Sequence, residues 1–155
     1  MYRYNPLLDI KSSKTQSNRN ALEDAEQEAL IEWSLIQKLP NMPHIEKGAV
    51  INDYLYAIPN GGKRDKGVAI KLKKQGVKAG VSDLHLALPM FGLPGLWIEM
   101  KQPNKSKAEV SPKQKAWLAR MKLAGYVVVI AYGWDEAKAA IENYLYQRTQ
   151  LRRAA

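Results

Sequence analysis

Two carboxylates and one lysine stand near the ends of two neighbouring apolar segments, where they could support metal-dependent hydrolysis of a phosphodiester. Asp83 lies near the start of one segment, and Glu99 and Lys101 lie at the end of the other. A hard divalent cation such as Mg²⁺ binds oxygen and needs only one or two protein carboxylates, because water and phosphate complete its shell. A lysine ammonium beside it can orient the attacking water or offset charge that develops on the phosphate.

The segments that carry these residues predict two half-buried strands. Residues 81–88 and 96–101 alternate polar and apolar side chains with a period near two. Residues 89–95 between them are rich in proline and glycine, which are turn formers. The two strands are therefore predicted to form an antiparallel hairpin.

The register of this hairpin decides which polar groups meet. We start the pairing with Leu88 opposite Leu96. Asp83 then lies opposite Lys101 and diagonal to Glu99, within reach of a cross-strand neighbour. Polar groups collect on one face and aliphatic groups on the other, and a slip of one residue would exchange the two faces. The same count places His85 on the polar face opposite Glu99, where a structural role is commoner for histidine than a catalytic one.

The polar cluster has two interpretations. The simpler one is a surface salt bridge between Lys101 and one of the acids, which contributes only about 0 to 1 kcal/mol. The sharper one is a cation site, because the like charges of Asp83 and Glu99 repel each other unless a cation joins them. This repulsion favours the cation site.

Composition limits the class of protein. The chain has 155 residues, of which 46% are hydrophobic, enough for one compact α/β domain. Its 24 Lys and Arg against 15 Asp and Glu give a net charge of +9, which favours an anionic partner, with nucleic acid first. The absence of cysteine excludes disulfides and thiolate zinc sites. No run approaches the roughly 20 apolar residues of a membrane span, and we expect a cytoplasmic protein without a membrane partner.

A first helix is predicted from Asn20 to about Lys38, since apolar residues recur at helical spacing and Pro40 ends the run. Glu23 then has two candidate roles. With Asn20 it fits a capping box, whereas with Gln27 it lies on one helix face that could point into a site. The sequence pattern alone favours the cap.

The remaining elements complete an α/β sandwich around a mixed sheet. The apolar run at 126–132 predicts a strand covered on both faces, such as a central strand. The others are a strand at 53–58, a short basic helix at 65–75 with Gly76 as its cap, a helix opened by Ser111 and Pro112 and ended by Gly125, and a last helix at about 134–147.

These motifs resemble the PD-(D/E)XK nuclease superfamily. Ser82-Asp83 occupies the PD position and Glu99-Met100-Lys101 supplies the E-x-K. Serine replaces the usual proline, which should shift the local turn slightly but removes no ligand. More narrowly, the chain resembles the VRR-NUC family from about residue 23 to 145. The motifs that carry the resemblance are Ile58-Pro59-Asn60-Gly61-Gly62, residues 76–83, residues 96–101 and Ser111-Pro112-Lys113-Gln114.

The resemblance implies a restriction-endonuclease-like core, with a mixed β-sheet flanked by helices, and an endonuclease dependent on Mg²⁺ or Mn²⁺. The family's first-helix glutamate falls on Glu23 and its glutamine on Gln27, which reverses the preference for a cap. The implied catalytic residues are Glu23, Asp83, Glu99, Lys101 and Gln114, and the implied metal ligands are Asp83, Glu99, Glu23 and the backbone carbonyl of Met100.

The resemblance also implies DNA as the partner. Standalone members, often phage-borne, resemble Holliday junction resolvases and are expected to be homodimers in a bacterial or phage-infected host cytoplasm. We therefore expect residues 20–147 to form one nuclease domain for branched DNA such as four-way junctions, between a flexible basic arm at 1–19 and a basic tail at 148–155. The alternatives are a flap or replication-fork nuclease and a non-catalytic basic DNA-binding protein. The candidate DNA contacts are Lys63, Arg64, Lys71, Lys73, Lys74, Lys78, Lys105 and Lys107.

Overall fold

A four-stranded mixed sheet organises the chain, and the computed structural model describes residues 21–59 and 65–147. The strands are β1 (Leu55–Ala57), β2 (Leu84–Leu86), β3 (Leu96–Lys101) and β4 (Val127–Tyr132). They lie in the order β1-β2-β3-β4; β2 runs antiparallel to β1 and to β3, and β3 runs parallel to β4. This arrangement confirms the predicted α/β fold with a mixed sheet.

Helices flank this sheet. In the described residues they are α1 (residues 21–34), α2 (Lys66–Lys74), α3 (Pro112–Leu123) and α4 (Trp134–Tyr146), with 3-10 turns at Ile51–Asp53 and Lys105–Lys107. α1 ends four residues before the predicted Lys38. None of these helices is long and apolar enough to cross a bilayer.

Several predictions lie outside the described residues. They are the basic arm at 1–19, the tail at 148–155, the cap at Asn20, and the DNA contacts at Lys63 and Arg64.

The hairpin between β2 and β3 is present, but the predicted register is wrong by two residues. Leu86, not Leu88, lies opposite Leu96. Because side chains alternate with a period of two, a shift of two residues keeps every side chain on its predicted face. Asp83 therefore still shares a face with Glu99, but the observed register, continued by one residue, places it directly opposite.

The turn explains this shift. Phe91 and Gly92 both have positive φ, 53° and 80°, as the two central residues of a type I′ hairpin turn require. They are flanked by the bridge between Met90 and Leu93. The three residues before Met90 then run opposite only two residues after Leu93. This extra residue on one side is a bulge that counting from the sequence could not locate.

The central position suggested for β4 does not hold in the described part of the sheet. Within the described residues β4 pairs with β3 alone, so it forms an edge of the described sheet. Its coverage on both faces is nevertheless real, since α3 lies beside Val128 and Ile130 and α4 lies beside Val127 and Val129. A continuous apolar run indicates that helices cover both faces of a strand, but it does not indicate whether another strand pairs with its edge.

The core lies on one face of the sheet. Tyr144 of α4 fixes the helix to the hairpin, because its hydroxyl donates to the Leu88 carbonyl at 2.7 Å. Each fully buried aliphatic side chain contributes about 1.5 to 3 kcal/mol. Those side chains include Leu30, Leu84, Leu86, Leu96, Ile98, Met100, Ile141 and Leu145. Since strand side chains alternate, burying this set turns the polar residues of β2 and β3 to the opposite face.

Candidate active site

Asp83 immediately precedes β2, and the neighbouring strand β3 holds its side chain. Its Oδ2 accepts a hydrogen bond from the Met100 backbone N–H at 2.8 Å. Burial raises the pKa of Asp83, and this hydrogen bond and the Lys101 charge offset part of the rise. The preceding Ser82 is fully buried.

Glu99 and Lys101 form a buried ion pair on β3. Lys101 Nζ lies 2.9 Å from Glu99 Oε1, and only 6% and 0% of the two side chains are exposed. Burial alone would lower the pKa of Lys101, but the hydrogen bond and charge of Glu99, with the charges of Glu23 and Asp83, outweigh it and raise that pKa. Lys101 is therefore held as an ammonium, which suits it to stabilise negative charge and not to remove a proton.

The two carboxylates on this face interact unfavourably. Burial first, and then the charge of Asp83, raise the pKa of Glu99 from 4.5 to about 7. Glu99 Oε1 is used by Lys101, whereas Oε2 is buried with no hydrogen-bond donor in the described residues. The Asp83 carboxyl lies within hydrogen-bonding range of Glu99, but two carboxyl groups can share a hydrogen bond only while one of them is protonated. An acceptor atom that is buried and unpaired costs free energy, and a cation bound between Asp83 and Glu99 would remove that cost.

Gln114 reaches the site from the first turn of α3. Its side-chain oxygen accepts from the Ser111 backbone N–H at 2.8 Å, and the Ser111 hydroxyl accepts from the Gln114 N–H at 3.2 Å, which completes a capping box. The cap fixes the amide orientation, so Nε2 of Gln114 donates to Glu99 Oε1. Gln114 thus stabilises the first turn of α3 and also contacts the Glu99 carboxylate.

Glu23 enters the same site from α1. Its carboxyl lies near the Gln102 backbone N–H and within electrostatic range of Lys101 and Asp83. Burial is the largest influence and raises the pKa of Glu23, while Lys101 and Gln102 act in the opposite direction. Gln27, one turn further along α1, is half-buried.

The charges of this cluster fit a divalent cation. When Glu23, Asp83 and Glu99 are all ionised, they exceed the Lys101 ammonium by two negative charges; because their pKa values are raised, a bound cation is what would keep them ionised at neutral pH. The described residues contain no group of three His, Cys, Asp or Glu side chains that could hold a metal ion together. Mg²⁺ needs no such set, because it keeps several waters and binds through one or two carboxylates. The unpaired Glu99 Oε2 beside Asp83 therefore fits the ion.

Metal binding and pH should be linked through Glu99. Its pKa is higher in the folded chain, about 7, than its ordinary 4.5, so stability from its protonation is complete below about pH 4.5 and is lost as pH rises through about 7. A cation that replaces this proton should raise the melting temperature more at about pH 8 than at about pH 5.5. Thermal melts with and without Mg²⁺ test this, with Glu99→Gln as the control that lacks the titration. Equal shifts at both pH values would contradict the assignment.

Gly80 sets the position of α3, and hence of Gln114. It has φ of +87°, and a Cβ there would lie 2.7 Å from the Lys113 carbonyl carbon and Cβ. Alanine at Gly80 therefore meets both a left-handed backbone penalty, about 1 to 2 kcal/mol, and a collision with α3. Gly48 has a similar φ, +85°, and open space around it, so Gly48→Ala isolates the backbone penalty.

We expect Gly80→Ala to lower the free energy of unfolding by more than Gly48→Ala and to reduce the Mg²⁺-induced rise in melting temperature as well, since displacing α3 moves the Gln114 amide away from Glu99. Denaturant unfolding and thermal melts of the two variants with and without Mg²⁺ measure this. Matching losses in stability with an unchanged Mg²⁺ effect in both would show that α3 tolerates the shift.

His85 belongs to an aromatic cluster beside the carboxylates. It lies opposite Trp97, so its predicted place opposite Glu99 is wrong because of the register shift. The His85 ring stacks on Trp97 with centroids 4.1 Å apart, and its Nδ1 lies 2.9 Å from the Tyr56 hydroxyl. Burial lowers the pKa of His85, which favours a neutral ring. These contacts favour a structural role in supporting the strands that carry the acids.

The basic residues predicted to contact DNA occupy two regions. Lys71, Lys73 and Lys74 are exposed on α2, and Lys78 is exposed just after it. The second region contains Lys107, also exposed, and Lys105. Lys105 already has partners within the chain, since its Nζ lies 2.8 Å from Glu136 Oε1 and 4.9 Å from the Tyr132 ring centroid.

Sequence reasoning missed two contributors to the site. The backbone N–H of Gln102 favours the ionised form of Glu23, and no side-chain pattern signals a backbone donor. The capping box of Ser111 and Gln114 was detectable, because S-x-x-Q is its signature, although only the serine cap was predicted. The sequence therefore contained the signature of the capping box, but it was interpreted as marking Gln114 only as an active-site residue.

Comparison with known proteins places the chain among related domains. A family model described as the VRR-NUC domain matches residues 4–135, a range that includes Asp83, Glu99, Lys101 and Gln114. A solved structure described as a "VRR_NUC domain protein" superposes with a TM-score of 0.66, at 31% sequence identity, over 80% of this chain and 88% of that chain. Among curated proteins, none matches the chain.

Proposed function

Because the chain belongs to the VRR-NUC family, whose domain has a nuclease-type DNA-processing function, we propose that it is a metal-dependent endonuclease that selects branched DNA. The strongest support is the pair of buried carboxylates, Asp83 and Glu99, which repel each other and leave Glu99 Oε2 without a partner in the described residues. Such an arrangement is costly for a purely structural face, and it is suited to a cation and a phosphate.

Asp83 and Glu99 would hold the ion, with Glu23 and the Met100 backbone carbonyl as the further proposed ligands. When bound, Mg²⁺ or Mn²⁺ supplies positive charge to a phosphate oxygen and increases the acidity of a coordinated water. The chain itself positions the acids: the Met100 N–H holds Asp83, and the Gln102 N–H favours the ionised form of Glu23. These donors position the carboxylates before substrate arrives, so little reorganisation is needed during the reaction.

Lys101 supplies the second positive charge. Because its pKa is raised, it remains an ammonium and can donate to a phosphate oxygen or orient the attacking water. Gln114 and Lys101 both bond to Glu99 Oε1, which leaves Oε2 as the free oxygen of that carboxylate. The two oxygens of Glu99 thus have separate tasks.

Junction selection is supported by a surface for pairing two copies. The outer side of β4, Val127–Tyr132, has no strand partner in the part of the chain described, and it contains neither charge nor proline to protect an edge. Apolar clefts of about 420 and 210 Å³ flank it. Antiparallel pairing of two β4 strands would present two sites to opposed DNA strands.

If two copies pair through β4, sedimentation should give a dimer. A monomer at all concentrations would contradict this pairing.

The substrate panel tests the function directly. Labelled four-way junction, flap and linear duplex should be cut in Mg²⁺ and left intact in EDTA, with the junction cut fastest. Equal cutting of all three would remove the selection for branches, and faster cutting of flaps would favour a flap or fork nuclease. Binding of all three without cutting in Mg²⁺ or Mn²⁺ would favour a non-catalytic DNA-binding protein.

A further inference from the structure

An open groove of about 600 Å³ lies between α2 and the loop that follows it, against the start of α3. The chain reverses at Gly76, with φ of +96°, which separates the loop from the helix. The small side chains along the groove leave room for a ligand, and its charged side chains are all basic. The small residues are Ala69, Gly76 and Ala79, and the charged residues are Lys73, Lys78 and Lys113.

The groove adjoins the carboxylate site along two chain segments. Lys113 immediately precedes Gln114, whose amide contacts Glu99. On the other side the groove loop continues into Gly80, which packs directly on the Lys113 backbone, and three residues later into Asp83. A polymer that leaves the site along this side would enter the groove at once.

The groove lysines are available for an external anion. The described residues contain two ion pairs, Lys101 with Glu99 and Lys105 with Glu136, and neither uses a groove lysine. Three ammonium groups without a neutralising acid in the groove lining match the regular negative charge of a sugar–phosphate backbone.

The packing of α2 agrees with an external partner. None of its residues is buried, and its apolar Val68 and Ile70 are 49% and 58% exposed. A helix with this little core contact is held weakly by the protein alone. A bound strand would give it a second surface to rest against.

We propose that this groove holds one DNA strand beside the scissile phosphate, with Lys73, Lys78 and Lys113 contacting successive phosphates. The proposal rests on the proposed nuclease function and adds the path of the substrate strand. It also adds Lys113, which the sequence had not marked as a DNA contact.

Salt-dependent binding in EDTA tests the groove without requiring cleavage. The probe is a labelled four-way junction, with linear duplex alongside. For Lys73→Gln/Lys78→Gln/Lys113→Gln we expect the slope of log K against log salt to fall by about 2 to 3, and affinity to drop at least about tenfold. The control Lys38→Gln/Lys47→Gln/Arg120→Gln removes the same charge from exposed positions outside the groove and outside the clefts beside β4.

The control should change the slope by less than about 1. Equal losses in the two triple variants would overturn the groove, because bulk charge would then explain binding. Thermal melts check folding, and if the groove variant unfolds, Lys113→Gln against Arg120→Gln repeats the comparison with single changes.

A second measurement places the strand directly. The chain has no cysteine, so Ala79→Cys and Lys47→Cys each carry one photo-crosslinker at a defined position. Crosslinks from position 79, mapped next to the incision site, support the path, whereas crosslinks from position 47 alone overturn it. If binding depends on the groove lysines but no DNA is cut, the proposed nuclease function is wrong and the groove proposal stands. If DNA is cut but binding does not depend on the groove lysines, the groove proposal is wrong and the nuclease function stands.

Discussion

Replacing Asp83 with asparagine is expected to reduce the proposed metal-dependent DNA cleavage by at least about 10³-fold, because a cation bound there would stabilise the transition state by several kcal/mol. Asparagine keeps an oxygen that can accept the Met100 N–H, so the entry to β2 should hold its shape. The variant loses one of two carboxylates that face each other. Single-turnover cleavage and a binding assay in EDTA separate lost chemistry from lost binding.

The same substitution should have the opposite effect on stability without metal. Removing the charge of Asp83 removes a repulsion that raises the pKa of Glu99, so the melting temperature in EDTA should stay equal or rise. The increase in melting temperature on adding Mg²⁺ should disappear. Full cleavage by Asp83→Asn, or an undiminished Mg²⁺ shift, would show that the ion binds elsewhere.

Replacing Lys101 with methionine should have the second-largest effect. Loss of one positioned charge near the reacting phosphate typically costs about 10² to 10³ in rate. The substitution also leaves Glu99 buried without its ion-pair partner, and removing one member of a buried pair costs about 3 to 5 kcal/mol. Part of that cost should be avoided at neutral pH, because Glu99 would take up a proton.

Lys101→Arg distinguishes the two roles open to this residue. Arginine keeps the positive charge but cannot be deprotonated in proteins, so it can replace a charge donor and cannot replace a base. We expect Lys101→Arg to cleave measurably faster than Lys101→Met, with unfolding free energies measured in parallel to correct for folding. If arginine and methionine are equally inactive while both variants stay folded, the charge role of Lys101 is wrong.

The face of the hairpin followed from the sequence, whereas its register did not. Alternation of Asp83, Glu99 and Lys101 with leucines is a local property that survives a shift of two residues. The register depended on the turn at Phe91–Gly92 and on one extra residue before it. The observed register places Asp83 opposite Glu99 and not opposite Lys101, which brings the two acids together.

The edge position of β4 and the groove beside α2 show the same limit. The apolar run of β4 correctly indicated cover on both faces, yet the strand beside it depends on how distant segments meet. The lysines of α2 were visible in the sequence, but Lys113 joined them only because Gly80 packs on the start of α3. Basic residues far apart in the chain form one surface only after folding.

The sequence by itself determined the polar face, the sequence of elements, the cap at Ser111 and the residues able to carry nuclease chemistry, because periodicity and capping depend on near neighbours along the chain. The tertiary structure decided which of those residues meet. It buried the Lys101–Glu99 pair, set Asp83 against Glu99, left Glu99 Oε2 unpaired in the described residues and brought in Glu23 from α1. Burial and the distance between charges depend on long-range packing, and these two quantities control the pKa values of the site.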